Sequence, residues 1–261
     1  MPACYAHYRY GLQMLEKMPK DVARTVNQFR RLYDVGLHGP DPFFFYNPFV
    51  KNAIGELGSK FHRQTGREFF TRVCRAVRMN PSEPAKSYLY GVLCHYCLDS
   101  CCHPDINRWD REGPATHTEI EGEFERYLLE LDGRIPPHEA CITDHVLLTP
   151  GEWGVMARFY PGVNPRQAGR SVKNMASLLN FLTLPEGPRR NTVQKTLEKT
   201  SKSYAGLLIP VRPNPKCQEK DGILMEHYQQ AVELYPVLLA QIQAHLAHNA
   251  PLGEEFQRDF G

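Results

Sequence analysis

Apolar side chains recur at three- and four-residue steps along most of the chain, as in Val22, Val26, Phe29 and Tyr33, and again in Leu224, Tyr228, Ala231, Tyr235, Leu238, Ile242 and Leu246. That period belongs to helices turning one face to a core. Helices are expected near residues 8–17, 20–34, 48–65, 67–78, 84–103, 115–132, 165–183, 190–204 and 222–248. Asn47-Pro48 and Asn164-Pro165 read as N-cap and first-turn pairs, and Gly66 and Gly133 as helix stops. His103 precedes Pro104, so the fifth helix is expected to end there. Strict alternation is confined to a weak strand candidate at Gly206 to Val211. The stretch from about 184 to 220, rich in Pro, Lys and Arg, reads as a mobile surface segment before the last helix. The fold class expected is all-α, a multi-helix bundle.

Polar residues on the inward faces change this picture. His95, Asp99 and His103 stand four apart, and at ~100° per residue each step of four drifts only ~40° around a helix. The three therefore share one face. On the next predicted helix the inward stripe reads Ile120, Phe124, Tyr127, Leu128 and Leu131, and extending it back one turn reaches His117 and Glu121. Asp99 likewise sits among Val92, Leu98 and cysteines. An ionised carboxylate buried without a partner is costly or loses its charge, and no Arg or Lys occupies a matching inward position on these two helices. Neutral imidazole with carboxylate is the ligand set zinc takes where one position stays open to water. A multinuclear metal site is expected, in a half of the bundle spanning residues 1–135 that helices of 136–261 complete as a single domain over 1–261.

The 261-residue chain has a formal net charge of +2 and a pI near 8.1, too close to neutral for a nucleic-acid binder by bulk electrostatics. Of its eight cysteines, Cys94, Cys97, Cys101 and Cys102 crowd one predicted helix. They read as buried thiols, not as a disulfide framework or a zinc knuckle. The opening MPACYAHYRYGLQ carries no basic start followed by an apolar run, and no segment reaches membrane-spanning length, so a cytoplasmic protein is expected. His38 and Asp41 on a Gly-Pro turn, His62 near a helix end and His7 on the first helix say little singly. His138, His145, His227, His245 and His248 lack an inward carboxylate at helical spacing and read as surface or core residues.

Taken together, YAHYRYG, YDVGLHGPDPFFF, GSKFH, YLYGVLCHYCLDSCCHP and HTEIEGEF, over about residues 5 to 135, resemble the zinc-dependent phospholipase C family. That family is represented by secreted bacterial enzymes and shares its all-helical fold with single-strand-specific zinc nucleases. The resemblance implies two or three zinc ions. It implies that Asp41, His62, His95 and Asp99 ligate one ion, that Asp99 bridges to a second also held by His7, and that His103, His117 and Glu121 hold the third. His38 stays outside the ligand set. In the secreted relatives an N-terminal tryptophan supplies further ligands to the ion shared with the His7 equivalent, whereas this chain begins MPACYAH. Pro42 follows Asp41 where those enzymes carry a headgroup-contacting tyrosine.

The function expected is metal-dependent phosphodiester hydrolysis, phospholipase C-like, with Asp41 orienting or deprotonating the attacking water. The partner expected is a phospholipid or other small phosphodiester, with nucleic acid less favoured. Two alternatives stay open, a single-strand nuclease-like phosphodiesterase and a non-catalytic metal- or lipid-binding protein. Phe43, Phe44, Phe45, Tyr46 and Phe49 adjoin Asp41. Most of these rings are expected in the core, with any exposed ones available to a lipid or a base.

Overall fold

A computed structural model describes residues 4–261. Twelve α-helices follow one another among these residues: α1 Cys4–Lys17, α2 Lys20–Gln28, α3 Arg30–Gly36, α4 Ala53–His62, α5 Gly66–Met79, α6 Glu83–Glu112, α7 His117–Leu131, α8 Pro150–Ala157, α9 Pro165–Leu182, α10 Pro188–Thr200, α11 Lys202–Ala205 and α12 Gln218–His248. Short 3-10 turns lie at Asp41–Phe45, Pro137–Glu139 and Glu254–Gln257. The all-α expectation holds. Among the described residues no helix is long and apolar enough to cross a membrane.

Helix α6 is the axis of the molecule. It packs against α1, α2, α3, α5, α7, α8 and α12, and its buried residues run almost unbroken from Tyr88 to His103. The crossing with α3 is tight: a Cβ on Gly91 would lie 2.3 Å from the Tyr33 carbonyl oxygen, and one on Gly36 would lie 2.6 Å from that of Tyr88. One continuous core joins these helices to Tyr228, Tyr235, Leu238 and Ile242 of α12.

Pro104 does not end α6, which continues to Glu112. A proline cannot donate to the carbonyl four residues back. The Ser100 carbonyl so released accepts from Arg258 Nη1 at 3.1 Å, so a residue near the end of the chain replaces the missing helical bond. The 20–34 helix is likewise two helices, broken at Phe29 (φ −121°, ψ 45°). Asn47-Pro48 caps nothing. Asn52 starts α4 instead, its Oδ1 accepting from Ile54 N and Gly55 N at 3.1 and 3.0 Å. Asn164 does cap α9 in a reciprocal box with Gln167. Gly133 follows α7 with φ +71°, but Gly66 opens α5 behind the Thr65 cap and stops nothing.

Residues 206–211 form no strand. Within 184–220, α10 overlaps the helix expected over 190–204 and α11 follows it, and the stretch is held to the rest by a small core of Leu182, Leu184, Leu197 and Leu208. Buried Arg190 ties it together by donating to the carbonyls of Leu184 (3.0 Å) and Ile209 (2.5 Å). On α7, Leu131 is 54% exposed, because the inward stripe ends with Leu128 and Leu129. All eight cysteines are free thiols, and only Cys141 is exposed.

Candidate metal centre

Every acid and imidazole singled out in the sequence lies in one region, delivered by five separate elements. His7 comes from α1, Asp41 from the 3-10 turn, His62 from the end of α4, His95, Asp99 and His103 from α6, and His117 and Glu121 from α7. His38 lies beside them but outside these groups, as expected. Thr116 fixes the start of α7 in a capping box with Glu119, which sets His117 on the first turn and Glu121 one turn later. The start of α1 is fastened from α7: the buried Glu125 carboxylate accepts from Ala6 N at 2.9 Å. That contact seats His7 against α6.

The turn bearing Asp41 must pass close to α6, and Gly39 permits it. Its φ is +47°, and a Cβ there would lie 2.2 Å from the His95 ring. Both the left-handed backbone and the missing side chain are required.

Donor atoms gather in three groups, His7–His95–Asp99, Asp41–His62–His95 and His103–His117–Glu121, each with its atoms within 4.8 Å of one another. His7 Nε2 lies 3.2 Å from Asp99 Oδ1, and His95 Nε2 lies 3.0 Å from Asp99 Oδ2. His103 Nδ1 is 3.7 Å from that same Oδ2, so Asp99 joins the inner groups to the outer one. Glu121 Oε1 faces His103 Nε2 at 3.3 Å and His117 Nε2 at 3.2 Å. Everything here is buried except His117, whose side chain is 22% exposed.

Proton positions can be read from the outer partners of three rings. His62 Nδ1 donates to the Gly58 carbonyl (2.9 Å), His103 Nδ1 to the Phe260 carbonyl (2.7 Å) and His117 Nδ1 to Asn107 Oδ1 (3.1 Å). In the neutral ring that leaves a lone pair on Nε2. Each such Nε2 points at a carboxylate oxygen, and His62 Nε2 comes within 2.8 Å of Asp41 Oδ1. Yet among the described residues Asp41 Oδ1, His62 Nε2, His95 Nε2, Asp99 Oδ2, His117 Nε2 and Glu121 Oε2 have no hydrogen-bond partner. Lone pairs packed against carboxylate oxygens need a cation between them. An anchored Nδ1–H behind a free Nε2 is how ligating histidines are usually oriented. A void of about 20 Å³ lies among His7, Asp99, His103 and Glu121, enough for one small occupant. The residues therefore fit a zinc site.

With no ion between them, the imidazoles and carboxylates charge one another. Burial alone would push the Asp99 carboxyl up, but the imidazoles of His103, His95 and His7 outweigh it and hold the group well below the usual carboxylate range. Burial pulls His95 down to about 4, against the pull of Asp99 and Asp41. At His103 burial also works downward, and Asp99 with Glu121 overcomes it, raising the ring to about 9. The one inward arginine of α7, Arg126, pairs with Glu123 (2.7 Å) and Glu130 (2.6 Å). Among the described residues no arginine or lysine pairs with Glu121 or Asp99.

Three contributions to the centre come from outside the helical spacings of the sequence. Residues 255–261 run over the site: Phe260 packs against His95 and His62 at ring-centroid distances of 5.9 and 6.4 Å, and its backbone N–H donates to the His62 carbonyl at 3.0 Å. Arg258 completes α6 as described. His145, read as scattered, lies with its Nε2 2.8 Å from His38 Nε2. A Pro inside a sustained helical pattern was the available signal for the second, since it demands a substitute donor. The other two contacts join distant segments and leave no local trace. The expectation about an N-terminal tryptophan falls on residues 1–3, outside the described residues.

A cleft of about 690 Å³ opens onto the centre, lined by Asp99, Ser100, His103, Asp105, Asn107, His227, Arg258 and Asp259 among others. The aromatic run divides as expected. Phe43 and Phe45 are fully buried and Phe49 is 63% exposed, while Phe44 lies 5.2 Å from His62. No curated protein and no solved structure matches the chain. The family model described as zinc dependent phospholipase C matches residues 6–153, a span that contains all eight acids and imidazoles of the centre. The chain belongs to the zinc-dependent phospholipase C family.

Proposed function

We propose that the protein hydrolyses the phosphodiester bond of a phospholipid, with His7, Asp41, His62, His95, Asp99, His103, His117 and Glu121 holding two or three zinc ions. The observation that carries this reading is the set of orphaned, buried donor atoms joined through Asp99. Zinc, when bound, supplies Lewis acidity toward water and toward an anionic phosphodiester. The chain's own groups do the rest. Asp41 orients the attacking water or takes its proton, while His62 stays aligned through its bond to the Gly58 carbonyl. Phe260 covers His95 and His62 and keeps bulk water from their inner side. The polar cleft beside Asp99 and His103 receives the headgroup end of the substrate.

A lipid is favoured over a nucleic acid by the near-neutral charge of the chain. It is also favoured by exposed Phe49 and Val50 (63% and 66%), which line a surface hollow of about 600 Å³ with Phe44 as a shared wall to His62. The test presents zinc-loaded protein with phospholipid vesicles and with single-stranded oligonucleotides. Diacylglycerol release that is lost in an Asp99→Asn variant supports the reading. Oligonucleotide cleavage without diacylglycerol release overturns it in favour of a nuclease.

A further inference from the structure

Beyond the centre assigned to the substrate lies a second cluster of ligand-type side chains. Cys4 and His38 are completely buried and His145 is 9% exposed, and one donor atom from each lies within 4.8 Å of the others. We propose that Cys4, His38 and His145 bind a transition-metal ion of their own, with zinc as the best-fitting ion.

The placement follows from the fold. Cys4 and His7 are three apart on α1 and so share its buried face. His7 points to Asp99, and Cys4 lies one turn earlier. His38 precedes the Gly39 turn that carries Asp41, with its ring 6.4 Å from that of His7. His145 comes from the segment between α7 and α8, and Tyr8 stacks on it at 3.8 Å and 10° between planes. Three remote stretches of chain thus meet at three ligand-type side chains.

Ordinary hydrogen bonding leaves a remainder. The Cys4 thiol donates to the Ile142 carbonyl at 3.2 Å, and His38 Nε2 pairs with His145 Nε2 at 2.8 Å. A bond between two neutral rings uses one nitrogen of each, and His38 Nδ1 stays enclosed with no partner among the described residues. Thiolate plus two imidazoles is a set that zinc accepts, with Zn–S of about 2.3 Å and Zn–N of about 2.0–2.1 Å. Tetrahedral geometry at those lengths separates ligand atoms by roughly 3.3–3.6 Å, so the cluster closes onto an ion by small side-chain rotations. Binding releases the thiol proton.

This set differs in kind from the substrate-facing groups, since it contains sulfur and no carboxylate. An ion there would pin the start of α1 and the segment around residue 145 to the turn before Asp41. It would hold two elements of the neighbouring centre without taking part in the reaction.

The test uses the full chain stripped of metal and titrated with cobalt(II). A thiolate-to-cobalt charge-transfer absorption in the near ultraviolet is expected in the wild type. It should vanish in Cys4→Ser together with one equivalent of bound metal, and persist in His117→Ala. Should Cys4→Ser fail to fold, His145→Asn at the rim of the cluster is read the same way. Absence of the band in the wild type, or an unchanged band in the folded variant, overturns the proposal. The readout is independent of catalysis, so inactivity toward phospholipid would leave it standing.

Discussion

The inner and outer parts of the candidate metal centre are built from the same two chemical groups, imidazole and carboxylate, but held in different ways. The inner part draws His7, Asp41, His62, His95 and Asp99 from four elements, all at most 5% exposed. Its geometry exists only when α1, the 41–45 turn, α4 and α6 are packed together. The outer part takes His103, His117 and Glu121 from two successive helices, with His117 open to solvent, and is braced by Asn107 and the Phe260 carbonyl. The difference teaches that ligand identity alone does not fix a site's behaviour. A site assembled across the core is linked to folding, whereas under the proposed function one at a helix pair with an open edge is the part expected to exchange its ion and meet substrate.

Asp99 bears on both parts, so its loss should have the largest effect. Asp99→Asn is expected to cut hydrolysis by more than the about 100-fold seen on losing a supporting partner, with metal content falling in both parts. Retained activity would show that the two parts are not joined through this carboxylate.

The contrast in exposure is sharpened by comparing His117→Ala with His62→Ala. The first should weaken the outer ion by more than the about 10–100-fold that loss of a supporting partner costs, while leaving the thermal midpoint of the inner-loaded protein near that of the wild type. The second should lower the midpoint as well, because it leaves Asp41 buried and unpaired. Equal thermal effects would erase the distinction.

Backbone supports come next. Gly39→Ala forces a side chain toward the His95 ring at positive φ and should cost about 1–3 kcal/mol in denaturant unfolding. Smallest of all, Glu125→Ala removes the cap on α1 and should cost about 1 kcal/mol. Its effect should fall on His7 and spare the outer ion.

How much was legible beforehand follows the same division. His95, Asp99 and His103, and then His117 and Glu121, could be read from four-residue spacing, because a helix turns sequence distance directly into a shared face. Asp41, His62 and His7 stand on separate elements, and only the resemblance drew them in. The end of α6 was misjudged because Pro104 is locally a stop signal, while its rescue by Arg258 is a contact across more than 150 residues of sequence. The 184–220 segment looked mobile by composition, yet Arg190 satisfies two buried carbonyls that no local pattern announces. The meeting of Cys4, His38 and His145 is equally invisible to periodicity.

Crystals of zinc-replete protein, measured on both sides of the zinc absorption edge, test the central claim most directly. The account predicts anomalous peaks about 2.0–2.2 Å from the facing atoms of Asp99, His95 and His7 or Asp41 and His62, and of His103, His117 and Glu121. Featureless anomalous density there, with those carboxylates bonded only to imidazolium groups, would contradict it.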